Sequence, residues 1–380
     1  KNTMAASGLV VSAVARMPLM LAAQARCGAR RGVKVLGALG WGRICGSRQM
    51  STDTDVLEEP VTSKRMQFFS TLDSTSQGNN LTDLVRASLP KLTRNQIGLV
   101  PGGVDILERD VTTTALKHMF ESPEIVKQVA LRGKPGTGKS VGMARVLAQC
   151  HDAGWIVAHV PNAASWSDEL QTIETSLWKS DRIDQPTAST EWLRYFVKWN
   201  EHILKDLPII GTYGWDAMSA SPPDTVLALA NMGIDDSGYR IATDVVGIVL
   251  KEIAKPEVAA PMVLAIDSYN AWQKDIFPKF KDFDAVKVVT MERAALVRHF
   301  WRLATKQDGI ARGAIVVAES DNFGSIPFAD FQSFDNAHSA DFTKYTGDEL
   351  SAILDNCVSR GLISRIPKAS EENKKTRSNC

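Results

Sequence analysis

The segment Gly133-Lys134-Pro135-Gly136-Thr137-Gly138-Lys139-Ser140 follows an apolar run, Ile125 to Leu131, and opens a helix-spaced run, Ser140 to His151. A phosphate cluster needs several donors that converge without side-chain bulk between them. Gly133, Gly136 and Gly138 let the backbone curl so that successive amides point inward. The amino-terminal end of the following helix adds partial positive charge. Lys139 is placed to reach terminal phosphates, and the Ser140 hydroxyl to join the shell of a Mg²⁺ ion. A glycine-rich turn can match by accident, but this one is complete and lies between a strand and a helix. The expectation is a P-loop, formed by these eight residues, that binds a purine nucleoside di- or triphosphate with Mg²⁺.

The second half of such a site is an acid at the end of a buried strand. Met262 to Ile266 is a continuous apolar run of the buried parallel kind, and Asp267 ends it. Ser140 and Asp267 are therefore the expected metal-side residues. Hydrolysis also needs a group that orients or activates water. Many ATPases of this type carry a Glu directly after the acid, and here the residue is Ser268. Glu319 and Ser320 end the next apolar run and could face the terminal phosphate, although strand-end polar residues are more often simply solvated. Slow turnover or none is expected, and no catalytic residue is assigned. The Asn-Lys-x-Asp signature that reads guanine in many GTPases is absent. That absence does not establish adenine, so GTP, GDP and ATP stay open.

Outward from the loop, strand and helix patterns alternate. Thr112 to Phe120 reads as a short helix, Trp155 to Val160 as a strand, and Ser167 to Lys179 as a helix. Further helices are expected over Thr190–Leu204, Tyr239–Ala254 and Met291–Thr305, and a buried strand over Gly313–Ala318. Gly211 to Gly238, with Pro222-Pro223, reads as an irregular insertion. Past Asn322 the alternation gives way to an aromatic-rich loop and then a terminal helix, Asp348 to Arg360. The fold class is α/β, a parallel sheet flanked by helices. The organisation is a leader over 1–50, an extension over 51–104, the nucleotide-binding domain over 105–321, a helical carboxyl-terminal region over 322–367 and a polar tail over 368–380.

Composition limits the partners. The chain has 380 residues, 44% hydrophobic and 23% charged, enough for a substantial core. Eight of the 44 basic residues precede Asp53, the first acid, which leaves 36 against 43 acidic residues. A broad basic surface for nucleic acid does not fit that balance, and DNA binding is not expected. Local patches remain, such as Arg86, Lys91 and Arg94 or the tail from Arg365 to Arg377, each ordinarily a solvated charge run. The acid-free, Arg- and Ala-rich leader has the composition of a mitochondrial or plastid transit peptide. Arg16 and Pro18 interrupt its apolar stretch, Gly8 to Ala25, so a membrane span is not expected. The five cysteines include no Cys-x-x-Cys pair and read as reduced thiols. Trp155, Trp166, Trp178, Trp192, Trp199 and Trp215 read as core anchors rather than base-stacking platforms. His159 reads as a hydrogen-bonded strand histidine.

Several segments together resemble the death-associated protein 3 family. They are the glycine loop, His159-Val160-Pro161-Asn162-Ala163 with Trp166, Arg182-Ile183-Asp184-Gln185-Pro186, and Trp192-Leu193. Asp244-Val245-Val246-Gly247-Ile248-Val249-Leu250-Lys251-Glu252 follows, then Asp267, Asn270 and Trp272. The resemblance runs over roughly residues 100 to 320 and departs after Asn322; Ser268 stands where the family often has Gly. It implies a GTP-binding domain related to the AAA+ branch of P-loop proteins, seated in the mitochondrial small ribosomal subunit. It also implies contacts with ribosomal RNA, neighbouring small-subunit proteins and the large subunit, with nucleotide kept for structure. The rival is a mitochondrial AAA+-like NTPase that works by hydrolysis outside the ribosome.

Overall fold

The computed structural model describes residues 66–70, 81–89, 91, 94–95, 104–167, 173–176, 179–214, 223–235, 241–273, 292–305, 308–320 and 337–362. The expected leader and polar tail lie outside these residues, as do Trp178 and Trp215. One compact unit spans Phe68–Leu350, and Lys1–Gln67 with Ser351–Cys380 form a second. The strands are β1 (Phe68–Ser70), β2 (Asp105–Leu107), β3 (Lys127–Arg132), β4 (Ile156–Val160), β5 (Glu174–Thr175), β6 (Ile183–Asp184), β7 (Met262–Ile266), β8 (Gly313–Ala318) and β9 (His338–Asp341). The helices are α1 (Leu81–Ser88), α2 (Asp110–Phe120), α3 (Lys139–Asp152), α4 (Pro186–Leu204), α5 (Val226–Ile234), α6 (Ala242–Ile253), α7 (Ala295–Ala304) and α8 (Gly347–Ser359). No described helix is long and apolar enough to cross a membrane.

Five strands form a parallel sheet in the order β4-β7-β8-β3-β9. Strands β4, β7 and β8, and the middle of β3, are buried along their length because both faces are covered. Ala130, Ile156, Leu264 and Ile315 face one core, where α4, α5, α6 and α7 bring Trp192, Leu229, Val246 and Phe300. Val129, Val157, Val263 and Val316 face the other, where α1, α2 and α3 bring Leu84, Met119 and Leu147. The extension thus contributes α1 to the second core, and β1 pairs antiparallel with β2. Strand β4 is an edge, and Asn200 of α4 closes it. Its amide accepts from Val157 N at 2.7 Å and donates to Val157 O at 2.9 Å.

Three expectations need correction. Ser167 to Lys179 is not one helix, since its described residues include β5, paired antiparallel with β6. The stretch from Gly211 to Gly238, expected to be irregular, contains α5, whose Thr225 cap accepts from Ala228 N at 3.2 Å. Beyond Asn322 the chain adds β9 to the sheet beside β3. A polar edge strand with Ala340 as its one buried residue shows no apolar run in sequence.

The tryptophans Trp155, Trp166, Trp192 and Trp199 are core residues, as expected. His159 is 1% exposed; its Nδ1 lies 2.9 Å from Tyr195 Oη, and its carbonyl accepts from Trp192 Nε1 at 2.9 Å. Burial pushes its imidazole down to about 3 from an ordinary 6.5. The folded state therefore keeps this ring neutral while the unfolded chain takes up a proton below pH 6.5. Stability should fall on acidification through the window between 6.5 and 3, by up to about 2 kcal/mol between pH 6.5 and 5 for this residue alone. Urea midpoints across that range check the slope, and His159→Asn should flatten it.

Candidate functional site

The glycine loop leaves the carboxyl end of β3 and enters α3. Gly133, Gly136 and Gly138 all take positive φ, at 137°, 77° and 95°. Within the loop the Thr137 side chain donates to Lys134 O at 2.8 Å. Lys139 is buried, and its ammonium donates to the carbonyls of Gly133 and, at 3.1 Å, of Lys134. Lys134, Pro135 and Gly136 form the exposed tip. Gly142 N donates to Gly138 O at 2.8 Å and so begins the helical ladder.

Although β8 separates β3 from β7, the sheet twist and the loop bring their ends together. Ser140 Oγ donates to Asp267 Oδ2 at 2.5 Å. Asp267 is 5% exposed, and burial raises its carboxyl above the ordinary value. Ser140, the Ser268 backbone and hydroxyl, and Lys139 oppose that rise. The Asp267 carboxylate and the Ser140 hydroxyl are adjacent oxygen ligands of the kind that could hold a divalent cation. Ser268 has φ 59°, a left-handed conformation that glycine adopts with least strain.

The residues after β8 do other work. Glu319 lies 3.8 Å from Arg132, and its N donates to Leu131 O at 3.3 Å. Asn270 donates to Ser320 O at 2.8 Å and accepts from Ser320 N at 2.9 Å, which ties the ends of β7 and β8. Cys150 is buried, and neither it nor Cys357 is in a disulfide.

The distinctive segments away from the loop have packing roles. Arg182 meets Asp184 and Asp244, each at 2.6 Å, and so joins β6 to α6. The Gln185 side chain donates to Trp166 O at 2.8 Å, and its backbone N donates to Thr243 Oγ1 at 3.2 Å. At Gly247 a methyl group would stand 2.6 Å from His299 Cε1, so helices α6 and α7 meet there at close range. Trp272 Nε1 donates to Ala163 O at 2.9 Å, and its ring stacks on Trp166 at 5.7 Å.

The other wall of the loop comes from residues distant in sequence. Phe342 N donates to Arg132 O at 2.7 Å, and a Cβ on Gly138 would stand 2.5 Å from Tyr345 Oη. Arg109, 7% exposed, donates to Thr137 O at 2.8 Å, to Thr343 O at 3.1 Å and to Glu349 Oε1 at 2.9 Å. The one readable signal was Thr346-x-x-Glu349, a capping-box spacing before α8.

Fold and site together define a parallel α/β protein with a P-loop-like turn after one strand and a buried acid after another. More particularly, the chain belongs to the mitochondrial ribosomal death-associated protein 3 family, whose model matches residues 107–356. The match continues past Asn322, where the resemblance was expected to end, through β9 and into α8. Membership makes this a mitochondrial protein. The chain is 29% identical over 205 residues to the small ribosomal subunit protein mS29 of Bos taurus, covering 53% of this chain and 49% of the relative. It is 28% identical over 194 residues to mS29 of Mus musculus, covering 50% and 48%. The chain thus spans about half the length of the curated relatives it matches.

Proposed function

We propose that this protein is a structural component of the mitochondrial small ribosomal subunit and carries a Mg²⁺-bound purine nucleotide, GTP, GDP or ATP, in its glycine loop. The observation that carries the nucleotide reading is the convergence of Lys139, Ser140 and Asp267 at the end of the sheet. Gly133 to Gly138 would cradle the phosphates by backbone amides, and Lys139 would exchange its loop carbonyls for phosphate oxygens. Ser140 and Asp267 would hold Mg²⁺, which supplies charge neutralisation between the phosphates when bound. This is the AAA+-like P-loop arrangement that the family resemblance implies.

Slow or absent hydrolysis follows from the same residues. Ser268 offers no carboxylate beside Asp267, and Glu319 faces Arg132. The ribosomal assignment rests on the family and on the names of the relatives. It implies mitochondrial ribosomal RNA and neighbouring small-subunit proteins as partners, and contacts with the large subunit. Sedimentation of a mitochondrial extract tests it: the protein should co-migrate with small-subunit RNA. Recovery at the top of the gradient would overturn the assignment and favour a free NTPase.

A further inference from the structure

We infer that Arg109 is a positioning residue for the phosphate loop, and that it couples nucleotide occupancy to the chain from Phe342 to Leu350; this rests on the nucleotide reading above. Arg109 immediately precedes α2 and is almost wholly buried. Its guanidinium serves both sides of the loop wall, reaching Thr137 O on the loop and Thr343 O and the Glu349 carboxylate opposite. Its planar face lies 4.6 Å from the Tyr345 ring centre and 5.6 Å from that of Phe342. The hydroxyl of Tyr345 borders Gly138, and the ring of Phe342 borders Gly142.

The contact with Thr137 has a specific consequence. A peptide unit is planar and trans, so its C=O and the next N–H point to opposite sides. Fixing Thr137 C=O on Arg109 therefore aims Gly138 N–H away from Arg109, and Gly138 is one of the loop donors. At the other end, Glu349 accepts from Thr346 N at 2.8 Å, while Glu349 N donates to Thr346 Oγ1 at 3.1 Å. That reciprocal pair is a capping box, which sets the first turn of α8. One guanidinium thus fixes a loop peptide and the carboxylate that starts a helix. Loosening either end leaves a buried charge short of partners, so the two ends change together. Nucleotide that favours the latched loop must then stabilise residues 342–350, and the latch must strengthen nucleotide binding by the same factor.

The test uses the full chain with Mg·GDP and Mg·ADP as probes. Glu349→Gln leaves the loop untouched and keeps a capping side chain; Arg109→Lys keeps the charge but loses the fork. Each should weaken binding of whichever nucleotide the wild type takes by at least about fivefold. Amide exchange over 342–350 should slow when nucleotide binds the wild type, and should not respond in Arg109→Lys. Affinities within about twofold of wild type in the well-folded Glu349→Gln variant, or exchange indifferent to nucleotide in the wild type, overturn the coupling while leaving nucleotide binding intact. A wild type that binds neither probe overturns the nucleotide reading itself, and the coupling with it.

Discussion

Gly313→Ala is expected to destabilise the protein by about 4 kcal/mol or more, a large share of the roughly 5–15 kcal/mol that keeps a domain folded. Gly313 opens β8 at φ +115°, and a Cβ there would stand 1.9 Å from Met262 O and 2.7 Å from Met262 N. Both neighbours are backbone atoms of β7, held in register by the Met262–Gly313 pairing. No rotamer change relieves the clash, and the strand cannot retreat without parting the centre of the sheet. Gly154→Ala is the matched control: it also has positive φ, at +75°, but nothing lies within 4 Å of the added carbon. The control should lose only the left-handed backbone cost, about 1 kcal/mol. Urea unfolding followed by circular dichroism separates the two. Equal losses would contradict the β7–β8 register.

Lys139→Ala should weaken nucleotide binding by at least about a hundredfold, since a charge-assisted hydrogen bond contributes roughly 1.5–3 kcal/mol and this ammonium would make more than one. It should also lower stability without nucleotide, because the ammonium laces the carbonyls of Gly133 and Lys134. The two effects are separable. Wild type should gain about 2.7 kcal/mol at a nucleotide concentration one hundred times its Kd, whereas the variant, binding at least about a hundredfold more weakly, should gain at most about 0.4 kcal/mol there. Melting curves of both proteins with and without Mg·nucleotide check this. A variant that melts lower yet responds to nucleotide as wild type does would place Lys139 in the scaffold alone.

Much of this architecture was legible in the sequence because buried parallel strands are short continuous apolar runs. Met262–Ile266 and Gly313–Ala318 appear as read, and α3 follows the glycine loop as expected. Strand β9 was hidden because an edge strand with one buried residue need not be apolar. Helix α5 was hidden behind Pro222-Pro223, read as breakers although prolines also precede helix starts. Of the candidate site, Ser140 was readable from the glycine-loop motif and Asp267 from its strand-end position, and they meet. Arg109 was not, since its partner Glu349 lies 240 residues away and no local pattern links them. The segments that carried the family resemblance, Arg182 to Pro186 and Asp244 to Glu252, prove to be packing devices around the sheet.

The loop from Gly133 to Ser140 is proposed to hold a structural purine nucleotide. The most direct test is chromatographic analysis of nucleotide released on denaturing the purified protein, paired with melting in added Mg·GDP and Mg·ADP. A stoichiometric purine nucleotide should be recovered, largely unhydrolysed or as diphosphate, and the melting temperature should rise with the matching nucleotide. Protein that releases none and melts at the same temperature with either nucleotide would contradict it.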